Sequence, residues 1–234
     1  LTIRVFSYIL IGFINCSFIS LSQNEIIGCS QNYVTASDQY EIFQYSGNPQ
    51  LDTYLNRDVN VLRNFFQVNP SVYYFIDSPD APNAMALSTV EDPNYSDGTI
   101  VLGQNLIISE FQLSQSGTTI PFILAHEFAH IVDFLSGSTS CCETKVSELF
   151  ADFLSGSFLY YRSVLTYTDV QAAMYSFYSK GDFGFNDPDH HGTPQERLQA
   201  FISGYNWLRI ESMNGKQIPV ELAIEAALDY LEID

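Results

Sequence analysis

The sequence predicts an α+β domain, with a small mixed β-sheet in the first half and a mostly helical second half. Two observations point there. Short aromatic and β-branched segments, SVYYFID at Ser71 to Asp77 and GTIVLG at Gly98 to Gly103, are bounded by Gly, Pro, Asn and Ser. From Thr118 onward the punctuation is that of helices: caps, early prolines and a closing glycine. Strands followed by a run of helices pack as α+β.

Residues 1–22 read as a secretory signal. Arg4 is the only charge before Glu25, Val5 to Ile14 is nearly all apolar, and Ser20 and Ser22 are the small residues expected ahead of cleavage after Ser22. A membrane anchor is the lesser reading, because Asn15 and Ser17 interrupt a stretch already short for a bilayer. A lipoprotein attached through Cys16 is weaker still, with Asn15 ahead of the cysteine. Residues 23–234 then form one domain, since no internal repeat or long linker divides them.

Within that domain the elements follow in order. QYEIFQY, Gln39 to Tyr45, alternates as a strand does and stops at SGNP. Pro49 opens a helix whose Leu51, Leu55, Val59, Leu62 and Phe66 make one apolar stripe. Ser71 to Asp77, APNAMAL and GTIVLG are three further strands, the last two separated by the acidic loop Glu91 to Gly98. Thr118 or Thr119 caps a helix with Pro121 in its first turn, running to Gly137. Others are expected from about Glu143 to Arg162, from TDVQ at Thr168 to Gln171, from TPQE at Thr193 to Glu196, and after Pro219. In TPQE the cap, the proline and the capping-box acid stand in their proper places. The aromatic run FLYYR, Phe158 to Arg162, reads as core packing.

A formal net charge of −18 opposes approach to phosphate backbones and anionic lipid, so no nucleic-acid partner is expected. No stretch beyond the first 22 residues reaches 18 uninterrupted apolar residues, so no membrane embedding is expected after signal removal. Of Cys29, Cys141 and Cys142, an oxidising compartment favours a bridge from Cys29 to one of the adjacent two.

The chemistry centres on FILAHEFAHIVDF, Phe122 to Phe134. Residues four apart on a helix project about 40° from each other, so His126 and His130 face one way and can share an ion. Glu127 sits one residue round, near that ion and able to act on a water. A catalytic zinc takes three protein ligands and keeps one position for water. SELFAD supplies the third in Glu148, across a loop that lets the chain reverse. Asp152, one turn further along the same face, can accept a hydrogen bond from the far nitrogen of a ligating histidine, which fixes its tautomer. Ala151 between them is small enough for the two helices to approach closely.

His126-Glu127-Phe128-Ala129-His130 followed by Glu148-Leu149-Phe150-Ala151-Asp152 resembles the gluzincins, zinc metallopeptidases whose third ligand is a glutamate. Among them it is similar to the group of the CAAX prenyl endopeptidases, the heat-shock membrane proteases and their small soluble relatives, the minigluzincins. PNAMA at Pro82 to Ala86 looks like that family's strand above the active site, GTIVLGQNLI like the strand and turn after it, and HGTPQERLQAF at His191 to Phe201 like its late histidine, proline and arginine segment. The likeness covers about residues 40 to 205, with Gly192 standing after His191 where family members commonly have proline.

The resemblance implies a zincin-like fold in which the sheet packs on an active-site helix and a glutamate helix. It implies one zinc ion per chain on His126, His130 and Glu148, with Glu127 as general base in peptide-bond hydrolysis. His190 or His191, the chain's two other histidines, is the expected donor to the developing oxyanion. Arg197 either pairs with a metal-site carboxylate such as Asp152 or covers a surface, and the resemblance implies a buried structural role. Asn83, Ala84, Met85 and Ala86 would offer backbone groups to an extended peptide if they form a sheet edge, and otherwise read as an ordinary core strand. The expectation is a secreted or periplasmic zinc endopeptidase with a peptide or protein substrate. The rivals are a silent zinc-stabilised binding or scaffold protein, against which Glu127 speaks, and an amidase acting on cell-wall peptides.

Overall fold

The computed structural model describes residues 36–114, 117–140, 142–162, 166–181, 190–214 and 218–233. The expected signal segment, Cys16, Cys29 and Cys141 lie outside them, and so does any cysteine pairing. The chain runs α1 (Ala36–Gln39), β1 (Ile42–Phe43), α2 (Pro49–Phe66), β2 (Ser71–Phe75), β3 (Ala84–Leu87), β4 (Thr99–Gly103), α3 (Gln104–Ser114), α4 (Ile120–Ser136), α5 (Thr144–Tyr161), α6 (Tyr167–Ser179), α7 (Pro194–Met213) and α8 (Val220–Leu231). Four short strands and a mostly helical remainder make this α+β.

The sheet has the order β1-β2-β4-β3 and is mixed. β2 and β4 are parallel, while β1 on β2 and β3 on β4 are antiparallel. The parallel pair is central and β4 is buried along its whole length, whereas β3 is an edge strand, paired with β4 alone among the described strands. The strand expected over Gln39 to Tyr45 is reduced to Ile42 and Phe43, because Gln39 closes the short α1 and SGNP turns the chain toward α2.

Local chemistry starts the helices as the sequence suggests. Asn48 caps α2 by accepting from the backbone N–H of Gln50 and Leu51, and Pro49 takes the first position, where no N–H is needed. The stripe from Leu55 through Val59 and Leu62 to Phe66 is buried. The capping box of α7 closes as read, with Thr193 Oγ1 accepting from Glu196 N and Glu196 accepting from Thr193 N at 2.8 Å. For α6 the box is Thr166 with Asp169, two residues earlier than the TDVQ reading. Thr119 holds the cap position of α4 without a side-chain bond.

One helix follows its strand with no punctuation. α3 begins directly at the end of β4, and its first N–H groups are capped from a distance: Asp77 accepts from Asn105 N at 2.7 Å and Leu106 N at 3.0 Å. The same carboxylate accepts from Asn83 N at 3.0 Å, so it ties the approach to β3 to the start of α3.

α4 runs through the middle, with every residue from Ile120 to Asp133 buried. It packs on α2, on the sheet and on α5, and Phe66, Phe122, Phe128, Phe150 and Phe158 fill the space between. Each such side chain gains about 1.5–3 kcal/mol from leaving water. α5 and α7 approach backbone to backbone. A Cβ on Gly156 would fall 1.9 Å from the carbonyl oxygen of Phe201, and one on Gly204 1.8 Å from that of Phe153, so only glycine permits the distance. Phe158 and Leu159 lie in the core as the FLYYR reading expects, although Tyr161 is half exposed. Among the described residues no helix is long and apolar enough to cross a membrane.

Candidate metal centre

The helical period brings His126 and His130 to one face of α4, with ring planes nearly perpendicular and Nε2 atoms 3.0 Å apart. α5 packs against that face and presents Glu148. Its Oε2 lies 3.3 Å from Nε2 of His126, and its Oε1 lies 3.4 Å from Nε2 of His130. All three residues are buried, and their ligand atoms converge within 4.8 Å, so the group could hold a metal ion.

The spacing can be compared with what an ion would ask. Donors at about 2.05 Å in a tetrahedron stand about 3.3 Å from one another. The two histidine nitrogens stand 3.0 Å apart, near that edge, and each lies 3.3–3.4 Å from a different oxygen of Glu148. Two imidazoles and a carboxylate suit a borderline-soft divalent cation.

Around the ligands a layer of charge fixes their orientation. Nδ1 of His126 lies 2.9 Å from Oδ1 of Asp152, a carboxylate contact that favours a proton on that nitrogen, so that the neutral ring would turn its Nε2 lone pair to the cluster. Arg197, brought by α7, donates through Nη2 to Asp152 Oδ1 at 2.9 Å and through Nε to Oδ2, while its Nη1 lies 2.9 Å from Glu148 Oε2. One guanidinium thus spans two carboxylates a helical turn apart. The glycine contacts of α5 with α7 bring it that near.

Ionisation follows from these neighbours. Burial alone would raise Glu148, but the Arg197 guanidinium and the imidazoles of His126, His130 and His191 hold its carboxyl well below the usual range. Burial likewise works against a charged His126, yet the carboxylates of Asp152 and Glu148 outweigh it and lift the pKa to about 9. Glu127 moves upward, chiefly because it is buried, with the two histidines opposing the shift.

These groups open into a cavity of about 220 Å³. His126, Glu127, His130, Glu148, His191 and Arg197 line one side. The approach to β3 and its first residues, Pro82 to Met85, line another, and Leu106, Ile123, Ser176, Phe177 and Lys180 complete it. Of the late histidine pair, His191 is on the cavity wall, its Nδ1 3.3 Å from Glu148 Oε1, and His190 is not. Asn83, Ala84 and Met85 reach the cavity, while Ala86 is turned into the core.

Sequence reasoning missed the support of His130. Ser147 Oγ lies 3.4 Å from its Nδ1 and donates to Asp133 Oδ2 at 2.9 Å, and Asp133 is fixed in turn by the N–H and hydroxyl of Thr139. The available signals were slight: an acid three residues after His130 and a serine just before Glu148. It also missed the contribution of α6, through Ser176, Phe177 and Lys180.

Compared with protein-family models, with curated proteins and with solved structures, the chain gives no match.

Proposed function

We propose that this chain is a zinc-dependent endopeptidase of the gluzincin type, acting in a secreted or periplasmic setting on a peptide or protein substrate. The observation that carries the reading is that ligand atoms of His126, His130 and Glu148 converge within 4.8 Å while Glu127 borders the same cavity, whose wall includes the first residues of the edge strand β3.

His126, His130 and Glu148 would hold one zinc ion, which when bound supplies Lewis-acid polarisation of a carbonyl and a water acidified toward pH 7. Glu127 takes the proton of the attacking water and passes it to the leaving amine. Burial raises its pKa, which shifts it in the direction that helps a base return the proton it accepts. His191, on the cavity wall, donates to the oxygen on which negative charge develops; loss of such a donor typically costs about 3 kcal/mol of barrier. Asp152 and Arg197 keep the ligand atoms aimed and Glu148 ionised. An extended peptide pairs with the outer edge of β3, so the main chain is held whatever the side chains are.

A metal that only braced the fold would need neither a buried carboxylate at Glu127 nor a cavity reaching it. The test is digestion of a peptide library by the zinc-loaded chain, with and without a chelator, alongside Glu127→Gln. The expected result is chelator-sensitive cleavage, lost in Glu127→Gln although that variant still binds about one zinc per chain. Unchanged turnover in Glu127→Gln would remove the proposed base.

A further inference from the structure

We infer that the cavity selects a substrate carboxylate, with Lys180 as the specificity-determining cation. The inference rests on the peptidase reading for its setting and on α3 and α6 for its substance.

Lys180 follows the last residue of α6 as its C-cap and lines the cavity together with Ser176 and Phe177. Of the two side chains there that are cationic at any working pH, Arg197 is 4% exposed and committed to Glu148 and Asp152. Lys180 is about one-third exposed. Its ammonium lies 3.0 Å from Oε1 of Glu110, a residue of α3 that is 3% exposed and also accepts from the Ser176 hydroxyl at 3.1 Å. An ammonium has three donors. Glu110 takes one, and no other described residue accepts from Lys180. A buried carboxylate thus pins the lysine at the cavity, so less side-chain freedom is lost when a ligand takes its other donors.

The rest of the wall states what accompanies the carboxylate. Leu106 and Ile123 are apolar and buried. Phe177 is held by stacking on Phe201, ring centres 4.3 Å apart, and its own ring lies 6.1 Å from that of His126. The geometry fits a carboxylate on a short aliphatic stem, the stem against the apolar wall and the charge at Lys180. Two sources share that chemistry, an acidic side chain near the scissile bond and the free C-terminal carboxylate of a peptide. Because Glu110 cancels most of the lysine's distant field and the chain carries −18 overall, recognition is a short-range hydrogen bond, best measured at about 0.15 M salt, where long-range repulsion is screened.

The experiment uses the zinc-loaded full chain and matched peptides, Glu against Gln at each position around the cleaved bond, and free acid against amide at the C-terminus. One of the two comparisons is expected to favour the carboxylate about tenfold or more in kcat/KM, carried in KM. The ratio is expected to fall to about one in Lys180→Met and to survive in part in Lys180→Arg. As Lys180→Met leaves Glu110 buried without its cation, Lys180→Met with Glu110→Gln removes both charges together. Equal kcat/KM for acid and amide forms in the unaltered chain overturns the inference, and so does a preference that persists in both methionine variants. Should no peptide be cleaved, the peptidase reading fails by itself. Fluorescence anisotropy of the same labelled peptides on zinc-loaded Glu127→Gln then decides, with equal affinity for acid and amide forms overturning the role of Lys180.

Discussion

Nδ1 of His126 on α4 lies 2.9 Å from Oδ1 of Asp152 on α5, and the same oxygen accepts from Arg197 on α7 at 2.9 Å. Three helices therefore meet at one carboxylate, and the aim of His126, a candidate metal ligand, depends on how all three pack.

Asp152→Asn should weaken zinc binding by about 10–100-fold, the usual cost of losing a carboxylate behind a ligating imidazole. A competition titration against a chromophoric chelator measures it. Affinity equal to that of the unaltered chain would show that Asp152 serves the fold alone. Asp133→Asn, which reaches His130 only through Ser147, should cost less.

Zinc binding should release a proton at neutral pH. Below about pH 9 the metal-free chain carries His126 as an imidazolium, and a metal accepts only the neutral ring. Glu148, already ionised, contributes nothing to the release. Calorimetry in buffers of different ionisation enthalpy should report about one proton per ion, with affinity rising toward pH 9. Zero release would show that His126 is neutral beforehand. For the metal-free fold the sign is opposite. The raised His126 contributes stability that is full below pH 6.5 and is lost as the pH climbs through 9, while the lowered Glu148 contributes above 4.5 and loses its share as the pH falls.

Gly156→Ala should destabilise the chain by about 1–3 kcal/mol, the usual range for forced overpacking, because its new methyl meets the backbone of Phe201 and not a side chain that can swing away. Arg197 lies one turn before Phe201 on α7, so zinc affinity should fall as well. Thermal melts and zinc titrations on the same samples separate the two effects. A lower melting point with unchanged zinc affinity would detach Arg197 from this contact.

Asp77→Ala should cost about 2–4 kcal/mol, since three backbone N–H groups, those of Asn83, Asn105 and Leu106, lose their acceptor. Urea denaturation gives the magnitude, and amide exchange at Leu106 should quicken most. Unaltered exchange there would mean that α3 is capped by other means.

Comparison of particular elements shows what the chain announces in advance. The histidine pair, Glu127 between them and the pairing of Glu148 with Asp152 were legible because helical period alone sets which residues share a face. The box at Thr193 and the cap at Asn48 were legible for a similar reason, each being closed within four residues. α3 was not legible, because its cap comes from Asp77, a residue 28 positions away from Asn105. Residues Gln39 to Tyr45 misled in the other direction, their alternation promising a longer strand than the turn at SGNP leaves room for.

By itself the sequence determined the α+β composition, most helix starts and the face of α4 that carries both His126 and His130, all consequences of backbone geometry over a turn or two. Only the tertiary structure decided that α7 would lend Arg197 to two carboxylates of α5, that His191 and not His190 would reach the cavity, that β3 would be an edge strand among the described residues, and that Glu110 would hold Lys180 at the wall. Those pairings join segments far apart in the chain, and close packing selects them among many partners that local pattern leaves equally possible.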